Sequence, residues 1–195
     1  MCTYKKVTPM NPADVQILFA DLQPDIVARS KTNPPDALAH SAGVLAEVAG
    51  LLRLPIHFSV VPDGGKTPEL IPELARHAKA VKLLPRMSAS PFLDEATRDA
   101  IAATGRKTLV VAGFASEVVV VHAVRAAIEA GYGVHVPVDA CGGMSERTEA
   151  AAFRQVEAAG GITTSVVGLV TALAPDFSTS PGDKAFGALQ SLRLI

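Results

Sequence analysis

The sequence predicts an α/β fold: a three-layer sandwich in which a six-stranded, mostly parallel sheet of Rossmann-like topology carries helices on both faces. Short apolar runs alternate along the chain with helical stretches of ten or more residues, the pattern of repeated βαβ crossovers. Runs such as VQILFA and TLVVA are apolar at consecutive positions, as strands covered on both faces require. The chain has 195 residues, 49% hydrophobic and only 19% charged, enough to bury one substantial core. One domain over residues 1–195 is therefore expected.

Residues 15–20 (VQILFA) form the first strand, before Asp21-Leu22-Gln23-Pro24. Pro34-Pro35-Asp36 opens a helix to about Leu52, with Leu38, Ser41-Ala42, Leu45 and Val48-Ala49 on one face. IHFSVV (56–61) is the second strand, ended by Pro62-Asp63-Gly64-Gly65. Residues 68–78 suit a short helix, 80–84 a third strand and 92–103 a helix; Gly105 then precedes the strand TLVVA (108–112). A helix over 117–130 stops at Gly131, VHVPV (134–138) is the fifth strand, and Ser145 begins a helix ending near Gly160-Gly161. ITTSVV (162–167) is the sixth, its Thr and Val content favouring strand. Pro137 is a local objection to the fifth strand, because proline cannot donate to the ladder. From Ala174 a turn-rich segment leads to AFGALQSLRLI, where Phe186, Leu189 and Leu192 recur every three residues. This tail, 174–195, packs either on its own domain or on a neighbouring subunit.

Eighteen basic against nineteen acidic residues leave a formal charge of −1. That balance gives no basic footprint for nucleic acid or for an anionic membrane surface. No apolar run approaches the ~18–20 residues that cross a bilayer. Cys2 and Cys141 are too few for a disulfide framework and fit a reducing cytoplasm. The five histidines do not fall at metal-ligand spacings, so neither metal nor cofactor is expected. High apolar content without a membrane span points to a sheet covered on both faces or to a homo-oligomer interface.

Open parallel sheets bind ligands beyond the carboxyl ends of their strands. Those ends hold Asp21 and Gln23, then Ser59 to Asp63, Pro85-Arg86-Met87-Ser88, Gly113 to Ser116, and Asp139-Ala140-Cys141. A half-buried Asp21 would have a raised pKa and could handle a proton, although Asp at a strand end is also a common turn residue. Arg86 could pair with Asp21 or grip an anionic substrate in bidentate fashion. Gly113-Phe114-Ala115-Ser116 opens an apolar helix whose first N–H groups would face developing negative charge, with Ser116 a candidate N-cap. A Ser116–His122 nucleophile–base pair is disfavoured, since His122 lies nearly two helical turns along. The first turn itself, Glu117-Val118-Val119-Val120, contains no nucleophile. Cys141 is the one thiol near this rim, and a lone cysteine is by default a small buried residue.

Three pieces in order, DLQ at 21–23, LVVAGFASEVVVVHAVRAAIEAGY at 109–132 and VPVDA at 136–140, resemble the isochorismatase-like hydrolase superfamily, also called cysteine hydrolases. The resemblance covers about residues 12–175 and implies a six-stranded parallel sheet, usually in homo-oligomers. Amidase members use an Asp, a Lys and a Cys. By resemblance Asp21 takes the Asp position, Arg86 stands near the Lys position, and the cysteine falls on Val119. The family's non-proline cis peptide would join Phe114 to Ala115, and the N–H groups of Ala115 and Val119 would form the oxyanion hole. Gln23, Phe114, Ser116 and Cys141 are candidates to line a substrate site.

Valine cannot attack a carbonyl, and arginine stays protonated at ordinary pH, so the thiolate mechanism is disfavoured. The zinc-binding Asp-x-His of nicotinamidases is missing from IHFSVVPDGG. Three readings stay open. Isochorismatases proper lack the cysteine and cleave a vinyl ether; here Asp21 would protonate a small substrate whose anionic group Arg86 holds. Alternatively Cys141 supplies a relocated thiol for amide hydrolysis, or the protein is a catalytically silent member that binds or assembles.

Overall fold

The apolar runs form strands, and their order across the sheet fixes which loops meet. The computed structural model describes residues 10–62, 64 and 68–192; Cys2, Asp63 and Gly65 lie outside them. In chain order the elements are β1 (Val15–Ala20), α1 (Pro24–Val27), α2 (Pro35–Leu52), β2 (Ile56–Val60), α3 (Pro72–Ala75), β3 (Leu83–Pro85) and α4 (Glu95–Ala103). Then come β4 (Thr108–Phe114), a π-type turn over Ser116–Val120, α5 (Val121–Glu129), β5 (Gly133–Pro137), β6 (Cys141–Gly142) and α6 (Glu146–Ala158). β7 (Ile162–Thr164), α7 (Val166–Leu173) and α8 (Gly182–Leu189) complete the described chain.

The sheet runs β3-β2-β1-β4-β5-β7 with every described pairing parallel. A seventh, two-residue strand adds to the six expected: β6 pairs with the end of β4, Gly113 opposite Cys141 and Phe114 opposite Gly142. Pro137 explains it. β5 follows β4 only from Gly133 to His135, and Pro137 pairs on the other side with Thr164. Because β5 leaves β4 before the proline, its missing N–H costs that ladder nothing, and the freed rim of β4 is taken by β6.

Side chains alternate between two cores, as a pleated sheet requires. Ile17, Phe19, Phe58, Val60, Val110 and Ala112 pack on one face, with buried residues of α2, α7 and α8. On the other, Leu18, Ala20, Leu109 and Val111 meet α5, Ile101 of α4 and Val156 of α6. The result is the expected three-layer α/β sandwich.

Several boundaries differ from expectation. The helix at 68–78 is reduced to α3, and the third strand shifts from 80–84 to Leu83–Pro85. The helix expected from residue 117 starts with a π-type turn. The strand expected over 162–167 ends at Thr164. There Ser165 caps α7, its hydroxyl accepting from Gly168 N at 3.0 Å, and Val166, Leu169, Val170 and Leu173 fill one buried helical face. Capping and helical periodicity override β-propensity at this point. In the tail, Ala185 and Leu189 of α8 are buried in the chain's own core, while Phe186 stays partly exposed and stacks on Phe177 at 4.7 Å between centroids.

Candidate active site

The carboxyl rim of β3, β2, β1 and β4 is held together through the backbone. Asp21 N donates to Ser59 O (2.9 Å) and Arg86 N to Val60 O (3.0 Å), tying the loops after β1 and β3 to β2. Asp21 has φ 59°, the left-handed region that Asp tolerates better than most residues, so its carboxylate leaves the strand direction at once. On the other side β4 comes so close that a Cβ on Gly113 would lie 2.3 Å from Ala20 O. Only glycine fits there.

β3 and β1 are two strands apart, so Arg86 must pass its side chain over β2 to reach Asp21. It does: Nη2 donates to Oδ2 of Asp21 at 2.6 Å, and Nη1 donates to Ser88 O. Asp21 is 7% and Arg86 6% exposed. Burial pushes the Asp21 carboxyl above its usual range; the Arg86 guanidinium pulls the other way without overcoming it. Oδ1 of Asp21 and Nε of Arg86 have no protein partner among the described residues. Both Asp21 and Arg86, nominated from the sequence, therefore meet.

The Phe114–Ala115 peptide is cis, at the position that the resemblance implies. The following turn is closed by Val118 N and Val120 N, both donating to Ala115 O at 3.0 and 3.4 Å; neither donor is the Ala115 or Val119 amide. Val119 is 1% exposed and belongs to the same apolar cluster as Ala20 and Phe92.

Other candidates take structural roles instead. The Gln23 amide is held by one residue, Nε2 donating to Val61 O (3.0 Å) and Oε1 accepting from Val61 N (2.7 Å), which ties the loop after β1 to the end of β2. The Ser116 hydroxyl does not cap the helix: fully buried, it bonds to Gly142 O (3.1 Å) and Glu149 Oε1 (2.8 Å) and pins the segment before α6. Phe114 is a core residue; a Cβ on Gly142 would lie 3.2 Å from its ring. Cys141 is completely buried and burial pushes its thiol up to about 12, which disfavours a thiolate near neutral pH and so argues against the relocated nucleophile. Asp139 caps α7, its Oδ1 accepting from Val166 N at 2.8 Å.

Sequence reading passed over Ser59 as one member of a strand-end run. Its side chain is wholly buried and its Oγ has no protein partner among the described residues. No group of three or more His, Cys, Asp or Glu among the described residues is placed to hold a metal ion. Among those residues, too, no helix is long and apolar enough to cross a membrane.

An isochorismatase domain model matches residues 16–167. Over 157 residues the chain is 27% identical to "Probable hydrolase YcaC" of Escherichia coli (strain K12), covering 80% of this chain and 76% of that protein. The solved structure of E. coli YcaC, an octameric hydrolase of unknown specificity, superposes with TM-score 0.87 at 25% identity, over 97% of this chain and 95% of that one. YcaC from Pseudomonas aeruginosa, solved with hexane-2,5-diol and covalent acrylamide, gives TM-score 0.88 at 26% identity, over 100% and 94%. With its motif residues at the predicted strand ends and more than three quarters of its length matched, the chain belongs to the isochorismatase family of hydrolases.

Proposed function

We propose that this protein hydrolyses a small molecule by proton transfer through Asp21, without a covalent enzyme intermediate. The observation that carries the reading is the buried Asp21–Arg86 pair, in which one carboxyl oxygen of Asp21, Oδ1, has no protein partner among the described residues. Burial favours the protonated carboxyl, the form a general acid needs. Asp21 gives its proton to the substrate, and water completes the cleavage. Arg86 fixes Oδ2 through Nη2, and its guanidinium charge suits a polar or anionic substrate group. Val119, apolar and packed at the family's cysteine position, leaves no group there to form a covalent adduct.

The packing of Val119 also favours a second reading, in which the protein binds or assembles but does not turn over. One experiment separates the two. A panel of small ethers, esters and amides is assayed with wild type and with Val119→Cys. Turnover by wild type supports nucleophile-free hydrolysis. Activity found only in Val119→Cys shows a site that lost its nucleophile and nothing else, which supports the silent reading.

A homo-oligomer is part of the proposal. Met87, Leu93 and Val118 are exposed apolar residues flanking Arg86, Phe92 and Val119, and E. coli YcaC, which this chain resembles, is octameric. Sedimentation velocity checks it: a species of several chains is expected, and a monomer at micromolar concentration contradicts it.

A further inference from the structure

The Arg86 side chain has to cross β2 to reach Asp21, and Ser59 is the β2 residue just before Val60, whose carbonyl accepts from Arg86 N. In register, Ser59 stands opposite Ala20 on one side and Leu84 on the other. Parallel neighbours in register share a face, so Ser59 points to the face of Ala20, Leu84 and, two residues on from Leu84, Arg86. Strands are spaced about 4.8 Å apart, so a side chain joining β3 to β1 spans roughly 10 Å directly over β2. The Ser59 backbone carbonyl accepts from Asp21 N at 2.9 Å, which holds the two residues side by side. Three residues tied together at one rim thus each carry a buried polar atom without a protein partner among the described residues: Ser59 Oγ, Asp21 Oδ1 and Arg86 Nε. Buried polar atoms are nearly always satisfied, and three together call for a shared partner. An N–H donor, a carboxyl oxygen and a hydroxyl together suit a small group able both to donate and to accept.

We propose that Ser59 is a positioning residue for the hydrolytic water: that water accepts from Arg86 Nε–H, shares a hydrogen bond with Asp21 Oδ1 (accepting while Asp21 is protonated, donating once it is a carboxylate) and exchanges one with the Ser59 hydroxyl. The proposal rests on the reading of Asp21 as the proton-transfer group. In the step it implies, Asp21 first gives its proton to the leaving oxygen and becomes a carboxylate. The water oxygen then forms the new bond to carbon, the electron pair of the broken C–O bond goes to the leaving oxygen, and one water proton passes to Oδ1. Asp21 ends protonated, as it began, and one water is consumed.

Ser59→Ala removes the hydroxyl at little change in volume. A high-resolution crystal structure of the wild-type chain is expected to show a water bonded to all three atoms, and that of Ser59→Ala to show it displaced or absent. A Ser59 hydroxyl that instead donates to a backbone carbonyl, with Arg86 gripping both Asp21 oxygens, overturns the proposal. On a substrate found by the panel, Ser59→Ala is expected to lower kcat about tenfold, the worth of one hydrogen bond, with KM and melting temperature unchanged. Wild-type kcat in Ser59→Ala, beside an inactive Asp21→Asn, overturns the role of Ser59 alone. Full activity in Asp21→Asn overturns the reading beneath it.

Discussion

Nη2 of Arg86 lies 2.6 Å from Oδ2 of Asp21 with the whole of β2 between their strands, so one buried ion pair clasps three strands at their carboxyl rim. Removing one partner of such a pair strands the other charge in the interior. Arg86→Met is expected to destabilise the fold by about 3–5 kcal/mol, and Asp21→Asn/Arg86→Met by clearly less. Urea unfolding of the two variants measures this; equal losses would mean that the pair carries no coupling.

The Asp21 carboxyl is raised because burial outweighs Arg86. As a general acid it works protonated, so turnover is expected below the raised pKa and to fall as pH climbs through it. The folded state holds this proton more tightly than the unfolded chain. Asp21 therefore adds stability that is complete below the ordinary pKa of 3.8 and lost as pH rises through the folded value. A pH–rate profile whose alkaline limb is unmoved by substitutions around Asp21 would count against its role.

At the opposite end of the sheet His57 is buried, its Nε2 2.9 Å from Gln16 Oε1, and burial lowers its pKa from 6.5 to about 4. The unfolded chain takes up this proton first as pH falls. Stability should therefore be full above pH 6.5 and decline towards pH 4, by about 3 kcal/mol over the window. Melting temperatures of wild type and His57→Gln across that range test it: the variant should lose part of the acid sensitivity, and parallel curves would refute the assignment.

Cys141, fully buried with its thiol pushed up to about 12, should resist iodoacetamide in the folded protein at pH 7–8 and react only on unfolding. Peptide mass mapping separates it from Cys2. Rapid labelling of Cys141 in the native state would reopen the relocated-thiol mechanism.

Gly113→Ala would drive a methyl group to 2.3 Å from Ala20 O, between two hydrogen-bonded backbones that cannot separate without breaking the β1–β4 ladder. Loss of soluble, folded protein is the expected result, read by circular dichroism; a variant that melts like wild type would show that the rim is looser than described.

The strand succession was legible because parallel strands buried on both faces leave long apolar runs, and Asp21 and Arg86 were legible because such sheets put chemistry after strand ends. The same rule nominates too much. Gln23, Ser116 and Cys141 also follow strands, yet their polar atoms tie loops together or lie sealed in the core, which tertiary packing decides and strand-end position does not. α7 was hidden by β-branched residues, although the Ser165 cap and the spacing of Val166, Leu169, Val170 and Leu173 were there to read. The π-type turn at Ser116–Val120 left no signal, and the unpartnered hydroxyl of Ser59 depends on tertiary burial that its place in an apolar run does not encode.

Asp21→Asn keeps the shape of the side chain and an oxygen for Arg86 but has no acidic proton to give. With folding confirmed by an unchanged circular dichroism spectrum, its turnover is compared with wild type on a substrate from the panel. A loss of about 10²-fold or more in kcat is expected if Asp21 is the proton-transfer group. Turnover at the wild-type rate would contradict the account.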